Sequence, residues 1–245
     1  MRVLILGSGP NAVECRDWDL SAFDAVVAIN NAWRVRPDWT HLIHPEDFPE
    51  DRRPDHLRPG QQVVGAADYV PLQNRIGGFV YAGGTMAFTA GYWALEALRP
   101  QVMAFLGCDM VYPDSGATHF YGTGAADPLR ADVTLQSLEA KSARLMLMAA
   151  ERGCRCVNLS RADRSRLVFP RVTPAAVPHL PVAPSPAAQE DYREARMRED
   201  ELGYFVPSGR YWEVEDRFDR HALAALDQLW LDALAAHCDA RRRAA

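Results

Sequence analysis

The chain has 245 residues, 48% of them hydrophobic, and a formal net charge of −5. That length supports one large core with or without a small appendage, and the charge excludes a general nucleic-acid binder. Lys141 is the only lysine, which excludes a Walker-type phosphate lysine.

Val3 to Leu6 is a continuous apolar run, expected as a central parallel strand covered on both faces. It ends in Gly7-Ser8-Gly9-Pro10-Asn11. The glycines would let a ligand approach the backbone, Pro10 stiffens the turn, and Asn11 can cap a helix. The third glycine of G-x-G-x-x-G is missing. Asp24 to Ile29 reads as a second strand ending in Asn30-Asn31, two amides able to bond a base, a ribose or a phosphate. Thr40 to His44 reads as a third strand, with His44 at its end, and Gln61 to Gly65 as another.

The stretch from Tyr81 to Gly122 is the centre of the reading. Gly83-Gly84-Thr85 opens a nearly uncharged helix, Met86 to Leu98. A glycine turn feeding a helix N-terminus favours anions, because the first N–H groups are unpaired and the dipole is positive there. Val102 to Leu106 is a buried strand. The loop after it carries Asp109, Tyr112, Asp114, His119 and Tyr121. Gly116 to Asp132 is small and polar, and reads as a lid, a binding segment or a disordered loop. Leu135 to Arg152 is an amphipathic helix, with Leu138, Leu145 and Ala149 inward and Lys141 and Arg144 outward. Cys154 to Leu159 is a final strand.

Strands alternating with helices predict an α/β fold: a Rossmann-like, mostly parallel sheet with helices on both faces and a C-terminal helical extension. The boundaries are 1–168 for the nucleotide-binding domain, 169–188 for a proline-rich extended linker, and 189–245 for the extension. In that extension Gln189 to Leu202 is a charged helix. His221 to His237 carries a stripe of Leu223, Leu226, Trp230, Ala233, Leu234 and His237, most often plain packing surface: the helix would pack back on the sheet, form a lid, or pair with a second subunit. Five cysteines without a CxxC suit reduced thiols in a cytoplasm. No apolar stretch is long enough to span a membrane.

In such sheets ligands sit at the carboxyl ends of the strands. Four polar clusters follow strand ends: Ser8 to Asn11, Asn30-Asn31, His44, and Asp109 to Tyr121. With those residues in view, the chain resembles a superfamily. GSGPN at 7–11, AINNAW at 28–33, HLIHPEDF at 41–48, GGTMAF at 83–88 and LGCDMVYPDSGATHFYG at 106–122 follow its order. They look like the small bacterial sialyltransferases, and equally like the related domain of motility-associated factors and an archaeal-type hydroxymethylpterin diphosphokinase. The resemblance covers roughly the first two-thirds of the chain.

The sialyltransferase resemblance implies that Ser8 and Asn30 contact the nucleotide, and that Tyr112 approximates a phosphate-binding tyrosine. His44 stands where that pattern has a second strand-end Asn, and Gly83-Gly84 where it has Thr-Ser on the donor. Its catalytic histidine falls at Thr123 here, so His119 would take that role from a shifted loop. The implied enzyme is a metal-free glycosyltransferase. A CMP-sialic-acid-like donor would give its sugar to an unidentified hydroxyl acceptor, with His119 as base and Tyr112 or Tyr121 donating to the leaving phosphate. The diphosphokinase resemblance implies ATP, with Mg²⁺ held by Asp109 and Asp114. A third reading is a non-catalytic nucleotide-binding module.

Overall fold

The computed structural model describes residues 1–112, 116–124 and 130–244. Six strands are β1 (Arg2–Leu6), β2 (Ala25–Ile29), β3 (His41–Ile43), β4 (Gln62–Val64), β5 (Val102–Leu106) and β6 (Arg155–Asn158). They form one all-parallel sheet in the order β4-β3-β2-β1-β5-β6. Every strand expected from the sequence is present, with ends trimmed by a residue or so. The chain walks outward from β1 to β4. It then crosses back through α1 (Ala66–Asn74), α2 (Phe79–Ala82) and α3 (Met86–Ala97) to lay β5 on the other side of β1. The direction of strand order therefore reverses between β1 and β5, which is where open parallel sheets open a ligand crevice.

Both faces of the sheet are covered, as the unbroken apolar runs require, but by different material. Val3, Ile5, Val27, Ile29, Met103 and Phe105 pack against the α-helical layer. Leu4, Leu6, Val26, Ala28, Ala104 and Leu106 pack against short 3-10 helices, Pro10–Asp17 and Asn30–Arg34, and against the proline-rich segment. That segment is not a free tether. Phe169 and Val177 are buried, Asn158 bridges to Arg171, and the Arg155 guanidinium donates to the Pro181 and Val182 carbonyls.

The helix α4 (Leu138–Glu151) lies between the sheet and two C-terminal helices, α5 (Glu190–Leu202) and α6 (Arg220–Ala244). This overturns the expectation that Lys141 and Arg144 face outward. Both are fully buried, because α5 and α6 cover the polar side of α4 as the sheet covers the apolar side. Each buried cation is matched by a carboxylate from the covering layer. Lys141 Nζ lies 2.7 Å from Asp227 Oδ1. Arg144 donates from Nε and Nη2 to the two oxygens of Glu199, at 2.6 and 2.8 Å. Arg144 also donates to the Tyr92 hydroxyl and the Ile76 carbonyl, and Trp230 Nε1 donates to Glu199.

Of the placements open to the α6 stripe, the chain takes packing against itself: Leu223, Leu226, Trp230, Ala233 and His237 are all buried. Among the described residues no helix is long and apolar enough to cross a membrane.

Breaking one half of a buried pair strands the other charge at about 3–5 kcal/mol, whereas replacing both halves with apolar residues is often neutral. Glu199→Gln is therefore expected to lower unfolding free energy by about that amount in urea titrations. Arg144→Met combined with Glu199→Leu should recover most of the loss.

Candidate functional site

The reversal at β1 and β5 is built by glycines. Gly7 N donates to the Leu106 carbonyl and Gly9 N to the Gly107 carbonyl, both at 2.8 Å. A Cβ on Gly7 would sit 2.3 Å from the Gly107 oxygen, and Gly107 itself has φ +71°. Gly7 and Gly9 also line the cavity at this edge. Their bareness lets the loops after β1 and β5 cross each other.

Asp109 then ties three strand ends together. Its Oδ2 accepts from Asn11 Nδ2 (2.9 Å) and Ser160 Oγ (2.6 Å), and its Oδ1 from Asn158 Nδ2 (3.2 Å). These bonds hold Asp109 between the ends of three strands, so it positions the loops, and it also lines the cavity described next. Asp114 lies outside the described residues. Among the described residues no group of three or more His, Cys, Asp or Glu is placed to hold a metal ion.

A cavity of about 480 Å³ opens at this edge. Gly7, Ser8, Gly9, Pro10, Asn11, Asn30, Asn31, Thr85, Asp109, Tyr112, His119 and Tyr121 all line it, so residues far apart in sequence do converge. Ser8 Oγ donates to the Ile29 carbonyl, and the Ser8 carbonyl accepts from Phe120 N, which pins the histidine loop to the first glycine turn.

Asn30 has φ +52° and Met110 φ +53°. Both line the cavity, and left-handed backbone at a non-glycine costs about 1–2 kcal/mol. The Oδ1 atoms of Asn30 and Asn31 are buried without a hydrogen-bond partner. A buried acceptor without a partner is costly, and a donor from a bound water or a ligand would remove that cost.

His119 sits in a turn closed by backbone bonds to Gly122. Its Nδ1 lies 2.8 Å from Thr118 Oγ1, and Thr118 Oγ1 donates its single proton to the Gly124 carbonyl. The Tyr121 ring stacks on His119 at 5.0 Å.

Three expected residues are placed elsewhere. His44 is buried, its Nδ1 2.9 Å from the Pro45 carbonyl, and it does not line the cavity. Gly83 packs on the Lys141 stem. Gly84 is half-buried; its N–H donates to Thr134 Oγ1, and a Cβ there would fall 1.8 Å from the Tyr211 hydroxyl. The glycine amides are therefore no anion cradle. The start of α3 reaches the cavity instead through Thr85, Met86 and Ala87, with Thr85 Oγ1 capping Phe88 N.

Sequence reading missed Arg52 and Arg164, which line the cavity and whose guanidinium groups make no hydrogen bond or ion pair among the described residues. The run RADRSR at 161–166 follows β6 at the same sheet edge, so the strand-end rule applied once more would have found Arg164. Nothing in the local sequence marks Arg52.

A second cavity, about 940 Å³, adjoins the first and shares Asn30, Thr85 and Met86 with it. Asp132 stands in its wall. Burial would raise its pKa, but bonds from Thr134, Tyr211 and Arg130 hold it below the usual carboxylate range. Burial, then the bond to Asp132, pushes the Tyr211 phenol up.

A depressed carboxylate pKa contributes stability above its unfolded value of about 3.9, lost as pH falls through the lower folded value. Asp132→Asn should flatten acid unfolding in that window, read as urea midpoint against pH. At Asn30, Ala should cost about 1 kcal/mol through the left-handed backbone, while Gly tolerates that geometry and should stay near wild type. Chemical denaturation of both variants checks this. No protein-family model, curated protein or solved structure matches the chain.

Proposed function

We propose that the chain is a transferase that holds a nucleotide-activated anionic sugar, CMP-sialic-acid-like in its chemistry, in the smaller cavity and passes the sugar to a hydroxyl. The observation that supports this reading is the meeting, at the β1–β5 reversal, of the Asn30 and Asn31 amide oxygens with two guanidinium groups that have no partner among the described residues. The Asn30 and Asn31 oxygens accept from an exocyclic amine or a ribose hydroxyl. Arg52, Arg164 and the positive end of α3 meet the phosphate and carboxylate charge. Strain at Asn30 is consistent with a site held in a binding-ready geometry.

In the reaction, the acceptor oxygen bonds to the anomeric carbon as the bond from that carbon to the phosphate oxygen breaks. The electron pair leaves with the nucleotide. His119 takes the hydroxyl proton, and Tyr112 or Tyr121 donates to the leaving phosphate. Diphosphoryl transfer from ATP requires carboxylates for Mg²⁺; Asp109 already accepts three hydrogen bonds, and Asp114 lies outside the described residues.

Calorimetry with CMP, CDP, UDP, GDP and ATP tests the reading. CMP should bind most tightly, and Arg164→Ala should weaken it about tenfold, as expected for one charge-assisted hydrogen bond. His119→Ala should leave CMP binding nearly unchanged yet lower CMP-sugar turnover by about 10²- to 10⁴-fold, with EDTA having no effect. EDTA-sensitive turnover of ATP would replace this reading with diphosphoryl transfer. Retained CMP binding with no turnover would replace it with a binding module.

A further inference from the structure

The two guanidinium groups at the smaller cavity stand on loops that are held in different ways. Arg164 lies in the run after β6, and bonds from several sides fix that run. Ala162 N donates to Ser160 Oγ, Asn158 Nδ2 to Ser165 Oγ, and Arg166 N to the Asp109 carbonyl. Arg52 ends a single 3-10 turn, Glu50–Arg52, none of whose residues is buried. The bonds inside that loop give it shape: Arg52 N donates to the Pro49 carbonyl, and the Arg53 guanidinium to the Phe48 carbonyl at 3.2 and 2.7 Å. Phe48, buried against the His44 ring, anchors the start of the loop. Among the described residues, one hydrogen bond reaches residues 49–53 from another element. Trp33 Nε1 donates to the Arg52 carbonyl at 2.9 Å.

The place of Trp33 gives this bond its consequence. Trp33 belongs to the 3-10 helix Asn30–Arg34, which follows β2 directly and is seated by the buried Asn31 and Ala32. The same helix opens with the two amides whose Oδ1 atoms are buried without partners. The Arg34 guanidinium lies over the Trp33 ring, 5.3 Å from its centroid, and restrains the tilt of the indole. One short helix thus carries the amide acceptors and, through an indole N–H that can only donate, the backbone of Arg52.

We propose that Trp33 is a positioning residue for the donor. Its N–H holds the Arg52 guanidinium in register with the Asn30 and Asn31 oxygens, so that one nucleotide spans both. The base or ribose donates to the amides, and the phosphate meets the guanidinium. Trp33 does not line the cavity, so it acts through Arg52 and not on the ligand. Without the bond the turn keeps its internal shape but loses its tie to the sheet edge. Binding must then order the loop as well as the arginine, which lowers affinity. The loss is bounded by what Arg52 itself contributes. This inference rests on the donor reading of the cavity.

The test is ligand-observed NMR titration of the intact protein with CMP and with cytidine, which differ by the phosphate that Arg52 would hold. The variants are Trp33→Phe, Arg52→Ala and the two combined. Trp33→Phe keeps an aromatic ring beneath Arg34 and removes the N–H; Trp33 is half-buried, and thermal melts check that each variant is folded. Arg52→Ala should weaken CMP about tenfold, the scale of one charge-assisted hydrogen bond. Trp33→Phe should weaken it about three- to tenfold. The double variant should be within about twofold of Arg52→Ala, because the two residues act as one unit. Cytidine affinity should change less than about twofold in all three.

An unchanged CMP affinity in Trp33→Phe, an equal loss for cytidine, or a full additional loss in the Arg52→Ala background overturns the positioning role. The wild-type titration separates the two readings. CMP binding that Trp33→Phe leaves intact sinks the role of Trp33 alone, whereas a wild type that binds no CMP sinks the donor reading and this role with it.

Discussion

The bidentate pair between Arg144 and Glu199 fixes how this molecule is assembled. It is fully buried, and burial alone would lower the arginine's proton affinity; the Glu199 charge outweighs that and holds it raised. A guanidinium in such a place must have its donors satisfied, and they are, by α5, by Tyr92 of α3 and by the Ile76 carbonyl. One side chain of α4 thereby ties the sheet's helical layer to the C-terminal helices. The Lys141–Asp227 pair adds the same tie to α6. Two buried pairs in one interface give a single well-defined docking of the C-terminal third, because any shifted docking leaves a charge unpaired.

That docking reaches the candidate site through Tyr211. Once α5 and α6 are seated, the segment between them brings the Tyr211 hydroxyl to Asp132 and against Gly84. Asp132 caps the 3-10 helix Val133–Leu135 by accepting from Thr134 N, and Thr134 Oγ1 in turn receives Gly84 N. The corner that opens α3 is therefore held by side chains more than forty residues downstream in sequence. Across the sheet edge, Asp109 does similar work for the loops after β1, β5 and β6. The pocket floor is rigid because polar groups inside it bond one another. Among the described residues, Oδ1 of Asn30 and Asn31 and the guanidinium groups of Arg52 and Arg164 are left without partners at this edge.

Much of this was readable along the chain. Apolar runs of four to six residues between helical patterns determined a parallel α/β sheet, and with it the edge where polar strand ends meet. Ser8 to Asn11, Asn30-Asn31, Tyr112, His119 and Tyr121 were identified from that rule and do line one cavity. Local sequence reports such positions well, because strand periodicity and strand ends are properties of neighbouring residues.

What a helix faces is not a local property. Lys141 and Arg144 read as solvent-facing because charged residues on one side of a helix usually are; only the packing of α5 and α6 placed partners there and made burial favourable. The same holds for the α6 stripe, for Gly83 and Gly84, whose neighbours come from α4 and Tyr211, and for Asp109, whose oxygens are claimed by Asn11, Asn158 and Ser160. The sequence by itself determined the sheet and which edge carries the polar residues. Only the tertiary structure decided which of those residues remain uncommitted, because a hydrogen-bond partner from a distant part of the chain is chosen by packing and not by spacing.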